Sequence, residues 1–150
     1  MKSFKTFIIE NNTETFWHGG KPISSIQHGT IWLSSSRHVA EINAVGSADA
    51  GKYYQIKGRG GDPMEVLGKK VEKLSIDTTD FMIIDCNGDS YYKLGVPDIM
   101  KDDVFDPEMK LDTDSIADWA KENGYSGVLF KNIFEGKGVT ETSDVVAVFR

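Results

Sequence analysis

Two stretches toward the carboxyl end, Gly127-Val128-Leu129-Phe130 and Val145-Val146-Ala147-Val148-Phe149, are almost unbroken apolar runs bounded by Gly, Asn and Ser. Strands covered on both faces read this way, because neither side of the pleat meets water. They predict the middle of a packed sheet, and the rest of the chain must be arranged around it. Thr15-Phe16-Trp17 and Ile31-Trp32-Leu33 read as two shorter strands, with Val71 to Ile76 and Phe81 to Asp85 as two more, the last stopped by the turn pair Asn87-Gly88. Ser36 is placed to cap a helix running to about Val45, with Val39 and Ile42 on one face and Gly46 as its stop. A second helix is expected from a cap at Asp112 or Thr113, with Ile116, Trp119 and Ala120 as its apolar stripe and Gly124 closing it. Between Ser47 and Gly68 the chain is rich in Gly, Lys and polar residues, and reads as a long irregular excursion with one short element near Tyr53 to Ile56. Strands outnumber helices and do not alternate regularly with them, so the expected class is α+β.

Composition narrows the functions open to such a fold. A chain of 150 residues suffices for one domain, which buries about 70% of its unfolded surface. No apolar stretch approaches the roughly 20 residues needed to span a bilayer, which excludes a membrane-spanning protein. The net charge of -6 argues against strong non-specific affinity for nucleic acid, which comes from basic side chains neutralising phosphates. Cys86 is the single cysteine, so no internal disulfide can form and a reducing compartment fits; the three scattered histidines offer no zinc-ligand spacing. Charge is unevenly spread. From Asp98 to Asp118 eight acids face only Lys101 and Lys110, a surface that must be solvated, whereas Lys52 to Lys73 carries a local excess of base. That basic run suits either an acidic ligand or plain solvent. Within it, Gly58-Arg59-Gly60-Gly61 lacks the Lys-Ser/Thr of a phosphate loop and reads as a flexible loop.

The first ten residues stand apart. Phe4, Phe7 and Ile8 would lie on one face of a short helix, and Asn11-Asn12-Thr13 separates it from the rest of the chain. The apolar run is too short for a secretory signal and has no small-residue cleavage site. Met1-Lys2-Ser3-Phe4-Lys5-Thr6-Phe7-Ile8-Ile9-Glu10 resembles the capsid-targeting peptides of internal head proteins from T-even-like phages. Those peptides are clipped by a prohead protease after an (Ile/Leu)-x-Glu triplet, which Ile8-Ile9-Glu10 matches. The resemblance implies a removable propeptide over 1–10, cleavage between Glu10 and Asn11, and a mature domain over 11–150. The alternative is an amphipathic helix packed on the domain.

A second resemblance covers about residues 14 to 149. Trp17-His18-Gly19-Gly20, then Ile31-Trp32-Leu33-Ser34-Ser35-Ser36 leading into a helix with Ala40 and Ala44, resemble the first two motifs of ADP-ribosyltransferases of the His-Tyr-Glu type, phage and polymorphic-toxin members above all. Phe81-Met82-Ile83-Ile84-Asp85-Cys86-Asn87-Gly88, Gly124-Tyr125-Ser126-Gly127-Val128 and Ser143-Asp144-Val145-Val146-Ala147-Val148-Phe149 resemble the later motifs in the same order. The resemblance implies a split β-sheet core that holds NAD as substrate, with no metal.

It also implies roles for particular residues. His18 would bond the adenosine-side ribose, the Gly19 backbone would grip the nicotinamide amide, and Ser34 and Ser35 would brace the cleft. The family's stacking tyrosine corresponds to Asn43, a departure that leaves the aromatic face to Trp17, Trp32, Tyr53 or Tyr54. Its catalytic glutamate corresponds to Val145, which makes Asp144 the first candidate acid and Glu141 the second. Each has a plainer alternative: a satisfied histidine at a strand end for His18, a helix cap for the serines, a strand start for Asp144. The implied function is a phage internal head protein that passes from the virion into the host cytoplasm and transfers ADP-ribose from NAD to a host macromolecule. The alternatives are a catalytically degraded member that inhibits a host defence protein by binding, and a domain that binds or hydrolyses NAD without a macromolecular acceptor.

Overall fold

The computed structural model describes residues 13–136 and 138–150. The expected propeptide and its cleavage position at Glu10 and Asn11 lie outside the described residues. Along the chain come β1 (Thr13–Gly19), β2 (Thr30–Ser34), α1 (Arg37–Val45), α2 (Ala50–Gly58), α3 (Pro63–Leu67), β3 (Val71–Asp77) and β4 (Phe81–Asp85). They are followed by β5 (Leu94–Gly95), β6 (Lys110–Leu111), α4 (Thr113–Glu122), β7 (Gly127–Ile133) and β8 (Ser143–Phe149).

The fold is α+β. One six-stranded sheet runs β3-β1-β2-β8-β7-β4, antiparallel except for the β4–β7 pair, and β5 with β6 makes a separate ribbon. The two apolar runs, β7 and β8, lie inside the sheet, where Leu129 sits opposite Val146. Successive side chains alternate between its faces. Leu129 and Val146 pack with Phe16, Ile31 and Leu33 on one side. Val128, Phe130, Val145 and Ala147 pack on the other, against Ile116, Ala117 and Ala120 of α4. Each large side chain so covered favours the folded state by about 1.5–3 kcal/mol relative to exposure, which is why these runs had to be central.

The helix ends follow their local chemistry. The Ser36 hydroxyl accepts the Val39 N–H at 3.2 Å at the start of α1. Asp112 accepts the Ser115 N–H at 2.8 Å at the start of α4, and its bonding to Ser115 holds its carboxyl below the usual range. All eight acids between Asp98 and Asp118 are exposed.

The stretch from Ser47 to Gly68 departs from the irregular excursion expected of it, for it forms α2 and α3. Its polar composition hides a few apolar anchors, Tyr53 in α2 and Pro63 and Met64 in α3. Tyr53 is fully buried and packs with Val39, Ile42 and Val45 of α1 and with Met64 of α3. Asp62 caps α3 through the Met64 N–H at 3.0 Å, Pro63 occupies its first turn, and Gly68 ends it with φ 65. Gly58-Arg59-Gly60-Gly61 is a helix terminus rather than a flexible loop, with Gly60 at φ 83 and the Gly61 N–H returning to the Ile56 carbonyl at 3.0 Å.

Candidate functional site

β1 and β2 pair only at Trp17 and Ser34, and beyond that point they diverge. His18 fills the gap. Its Nδ1 lies 2.9 Å from the Trp32 carbonyl oxygen and its Nε2 2.8 Å from that of Lys21. Both oxygens are acceptors, and a neutral imidazole donates through one nitrogen only, so one of the two contacts is a hydrogen bond of the neutral ring, directed at backbone beside the point where the strand ladder stops. The ring is buried, with one edge on the open side. Gly19 follows at the strand end, where α1 crosses so closely that an added Cβ would stand 1.7 Å from the Ala40 carbonyl oxygen.

The divergence opens a cleft of about 370 Å³, within the usual range for small-molecule sites. His18, Gly19, Ser34 and Asn43, four of the residues expected to hold NAD, border it together. Trp32 lies on the same wall, and Val145 reaches the cleft from β8. The facing wall is built from residues that sequence reasoning missed: Tyr91, Thr113, Asp114 at the start of α4, and Glu135 just past β7. Among the described residues no Lys or Arg lines the cleft, and two carboxylates, Asp114 and Glu135, border it. A smaller hollow of about 230 Å³ adjoins it, sharing Tyr91 and Glu135 and adding Tyr92 and Phe134.

Three of the expected residues are not brought to this cleft. Ser35 clasps the start of β8, its N–H donating to the Asp144 carbonyl at 2.8 Å and its hydroxyl accepting the Asp144 N–H at 2.9 Å. Asp144 belongs to the opposite face from Val145, and its carboxylate accepts the Asn132 N–H at 3.0 Å. Glu141 accepts the Thr140 hydroxyl at 3.3 Å and lies near Tyr54, whose phenol is pushed up by burial and then by that charge. Of the four aromatic candidates only Trp32 borders the cleft, its ring 6.1 Å from that of Phe130. Trp17 lies beneath the cations of Arg37 and Lys73. Tyr53 donates to Glu41 at 2.8 Å and Tyr54 to the Gly138 carbonyl at 3.0 Å.

A larger hollow of about 690 Å³ follows the outer edge of β4 and holds none of the proposed NAD-binding residues. Asp85 lies on it, its carboxyl held low by the Asn87 N–H and then by the Asn132 side chain. Cys86 is buried behind it, its thiol pushed up to about 12 by burial and then by the charges of Asp85, Asp89 and Asp144. Among the described residues no group of three or more His, Cys, Asp or Glu could hold a metal ion, and no helix is long and apolar enough to cross a membrane. No family model, curated protein or solved structure matches the chain.

Proposed function

We propose that the cleft between β1 and β2 binds NAD and that the protein transfers ADP-ribose from it to a host macromolecule. One observation carries this reading: His18, Gly19, Ser34, Asn43 and Val145, which the resemblance assigns to an NAD site from separate motifs, border a single cleft. The divergence of β1 from β2 supports an ADP-ribosyltransferase-like split sheet. In such a reaction the bond from ribose to nicotinamide breaks through a cation-like state, which nearby negative charge stabilises. The two carboxylates of the cleft suit that demand.

In the same reading, residues 1–10 direct the chain into a phage capsid, a prohead protease frees the domain at Glu10, and the mature protein acts in the host cytoplasm in takeover or counter-defence. The test is incubation of the chain from Asn11 onward with labelled NAD and host lysate, beside Asn43→Arg, which fills the cleft from an exposed position on α1. Label on a discrete band, lost in the variant, supports transfer. Absence of both label and nicotinamide release from folded protein refutes it.

A specific observation favours a second reading. Val145 stands where the family's glutamate would be, and Asp144 is engaged by Asn132 on the other face of β8. A degraded site that inhibits a host defence protein by binding accommodates both. Nicotinamide release separates the two.

A further inference from the structure

β4 forms one edge of the sheet and β3 the other. Native edges are blunted by Lys, Pro or a bulge, because an open row of backbone groups invites another strand. β3 follows this rule: it is entered through Lys69 and Lys70 and carries Glu72 and Lys73. β4 does not. Phe81-Met82-Ile83-Ile84-Asp85 holds no Lys or Pro and keeps an unbroken register with β7, and Ile83 is 57% exposed. The pairing is parallel, with Asp85 opposite Lys131 and the Cys86 N–H donating to the Lys131 carbonyl at 2.8 Å. Both backbone groups of a strand residue point to one side, and successive residues alternate. Those of Met82 and Ile84 therefore turn to β7, and those of Ile83 and Asp85 turn outward.

The hollow of about 690 Å³ runs along that outward edge and shares no lining residue with the cleft between β1 and β2. Its other wall is the segment from Leu94 to Ile99. Leu94 and Val96 are buried in the same core as Met82, Gly95 has nothing near its missing Cβ, and Ile99 is 55% exposed. Three carboxylates border the hollow, Asp85, Asp89 and Asp98, and among the described residues no Lys or Arg does. Two cations act on them from outside it: Lys101 bonds Asp98 at 3.0 Å, and Lys131 acts on Asp85 across the ladder. Asp102 and Asp103 follow Lys101 in the same short helical turn, so the surroundings stay acidic.

We propose that the outer edge of β4 is a docking site for an extended, basic segment of a partner protein, which adds to the sheet as a further strand. Main-chain bonds to Ile83 and Asp85 supply affinity, and alternate side chains of the segment supply specificity. One set covers Ile83. The other enters the hollow, where apolar groups meet Val96 and Ile99, and Lys or Arg meets Asp89 and Asp98. Charge selects this occupant over a second copy joined edge to edge through β4, since that pairing brings like acids together. The site stands whether or not the cleft between β1 and β2 binds NAD.

The experiment titrates the full chain with a labelled alternating Lys-Val peptide of about eight residues, a common strand length, and with its Glu-Val counterpart. Hydrogen exchange follows the amides of β4 in the complex. Two variants accompany the wild type, with unfolding midpoints recorded: Ile83→Pro, which removes the outward donor and leaves the β4–β7 bonds in place, and the double reversal Asp89→Lys with Asp98→Lys at exposed positions. The basic peptide is expected to bind and to slow exchange at Ile83 and Asp85 but not at Met82 or Ile84. Each variant is expected to weaken binding about tenfold, and added salt to weaken it in the wild type. Equal binding of the Glu-Val peptide, binding of neither peptide, or full-strength binding by folded Ile83→Pro overturns the proposal. Self-association of the wild type in sedimentation, abolished by Ile83→Pro, also overturns it and gives the edge to a second copy, through the basic edge of β3.

Discussion

Replacing Gly19 with alanine asks whether that glycine serves a ligand or the fold. The added methyl would stand 1.7 Å from the Ala40 carbonyl oxygen and 3.0 Å from the Ala44 nitrogen, both backbone atoms of α1. No rotamer change can relieve this, so the end of β1 and the helix must separate by about 1.7 Å or more before ordinary contact distances of 3.4 Å return. Overpacking costs about 1–3 kcal/mol where side chains can yield; with backbone on both sides the upper end applies, about 3 kcal/mol. For a domain of this size each kcal/mol moves the midpoint by about 2–4 °C, so Gly19→Ala should lower Tm by about 6–12 °C. Thermal and urea unfolding monitored by circular dichroism, with no nucleotide present, measures it. Gly51→Ala is the matched comparison. Gly51 lies in α2 with nothing near its missing Cβ, and alanine there should stabilise by about 0.5–1 kcal/mol. A Gly19→Ala midpoint within about 2 °C of wild type refutes the packing argument. The requirement for glycine would then have to come from the ligand, and NAD affinity would be the property lost.

Three further outcomes are expected from the same geometry. His18→Ala removes a side chain that faces two carbonyls and should destabilise the nucleotide-free protein by about 2–3 kcal/mol, read by urea titration; an unchanged midpoint would return His18 to a purely ligand-binding role. The Cys86 thiol is pushed from 9.0 to about 12, so the folded state holds its proton more tightly than the unfolded one. The resulting stability is complete below pH 9 and is lost as pH rises toward about 12; Cys86→Ala should flatten that alkaline decline, measured by Tm against pH. Asp112→Ala removes the α4 cap and should cost about 1 kcal/mol near neutrality. Because the Asp112 carboxyl is held low, its contribution is present above the ordinary carboxylate range and fades as pH falls through the lowered value. The difference between variant and wild type should shrink in acid.

The middle of the sheet was readable because β7 and β8 are strongly apolar. β7 and β8 carry alternate residues into two different cores, which a single sequence expresses as a continuous run. α2 was not readable, since its packing depends on Tyr53 alone among polar neighbours, and tertiary contact rather than pattern makes it a helix. His18, Gly19 and Ser34 lie beside strand ends that motif order could locate, and they border one cleft. The facing wall was hidden for a physical reason. Glu135 follows a register shift between Phe130 and Ile133 that marks a bulge in β7, and no periodic pattern records one extra residue in a strand. The period-two alternation of a strand sets Asp144 and Val145 on opposite faces, so two residues adjacent in sequence do not border the same cleft.

β8 lies between β2 and β7, although it is the last strand described, and Thr30 pairs with Phe149 across almost the whole chain. During synthesis, β1 to β3 and β4 with β7 can exist only as two separate half-sheets, each with an open edge waiting for the same partner. Contacts of such long sequence separation form slowly, and exposed strand edges are prone to pair with the wrong molecule. The chain therefore acquires its cooperative stability only when β8 inserts, and whatever delays that insertion leaves both halves vulnerable to aggregation.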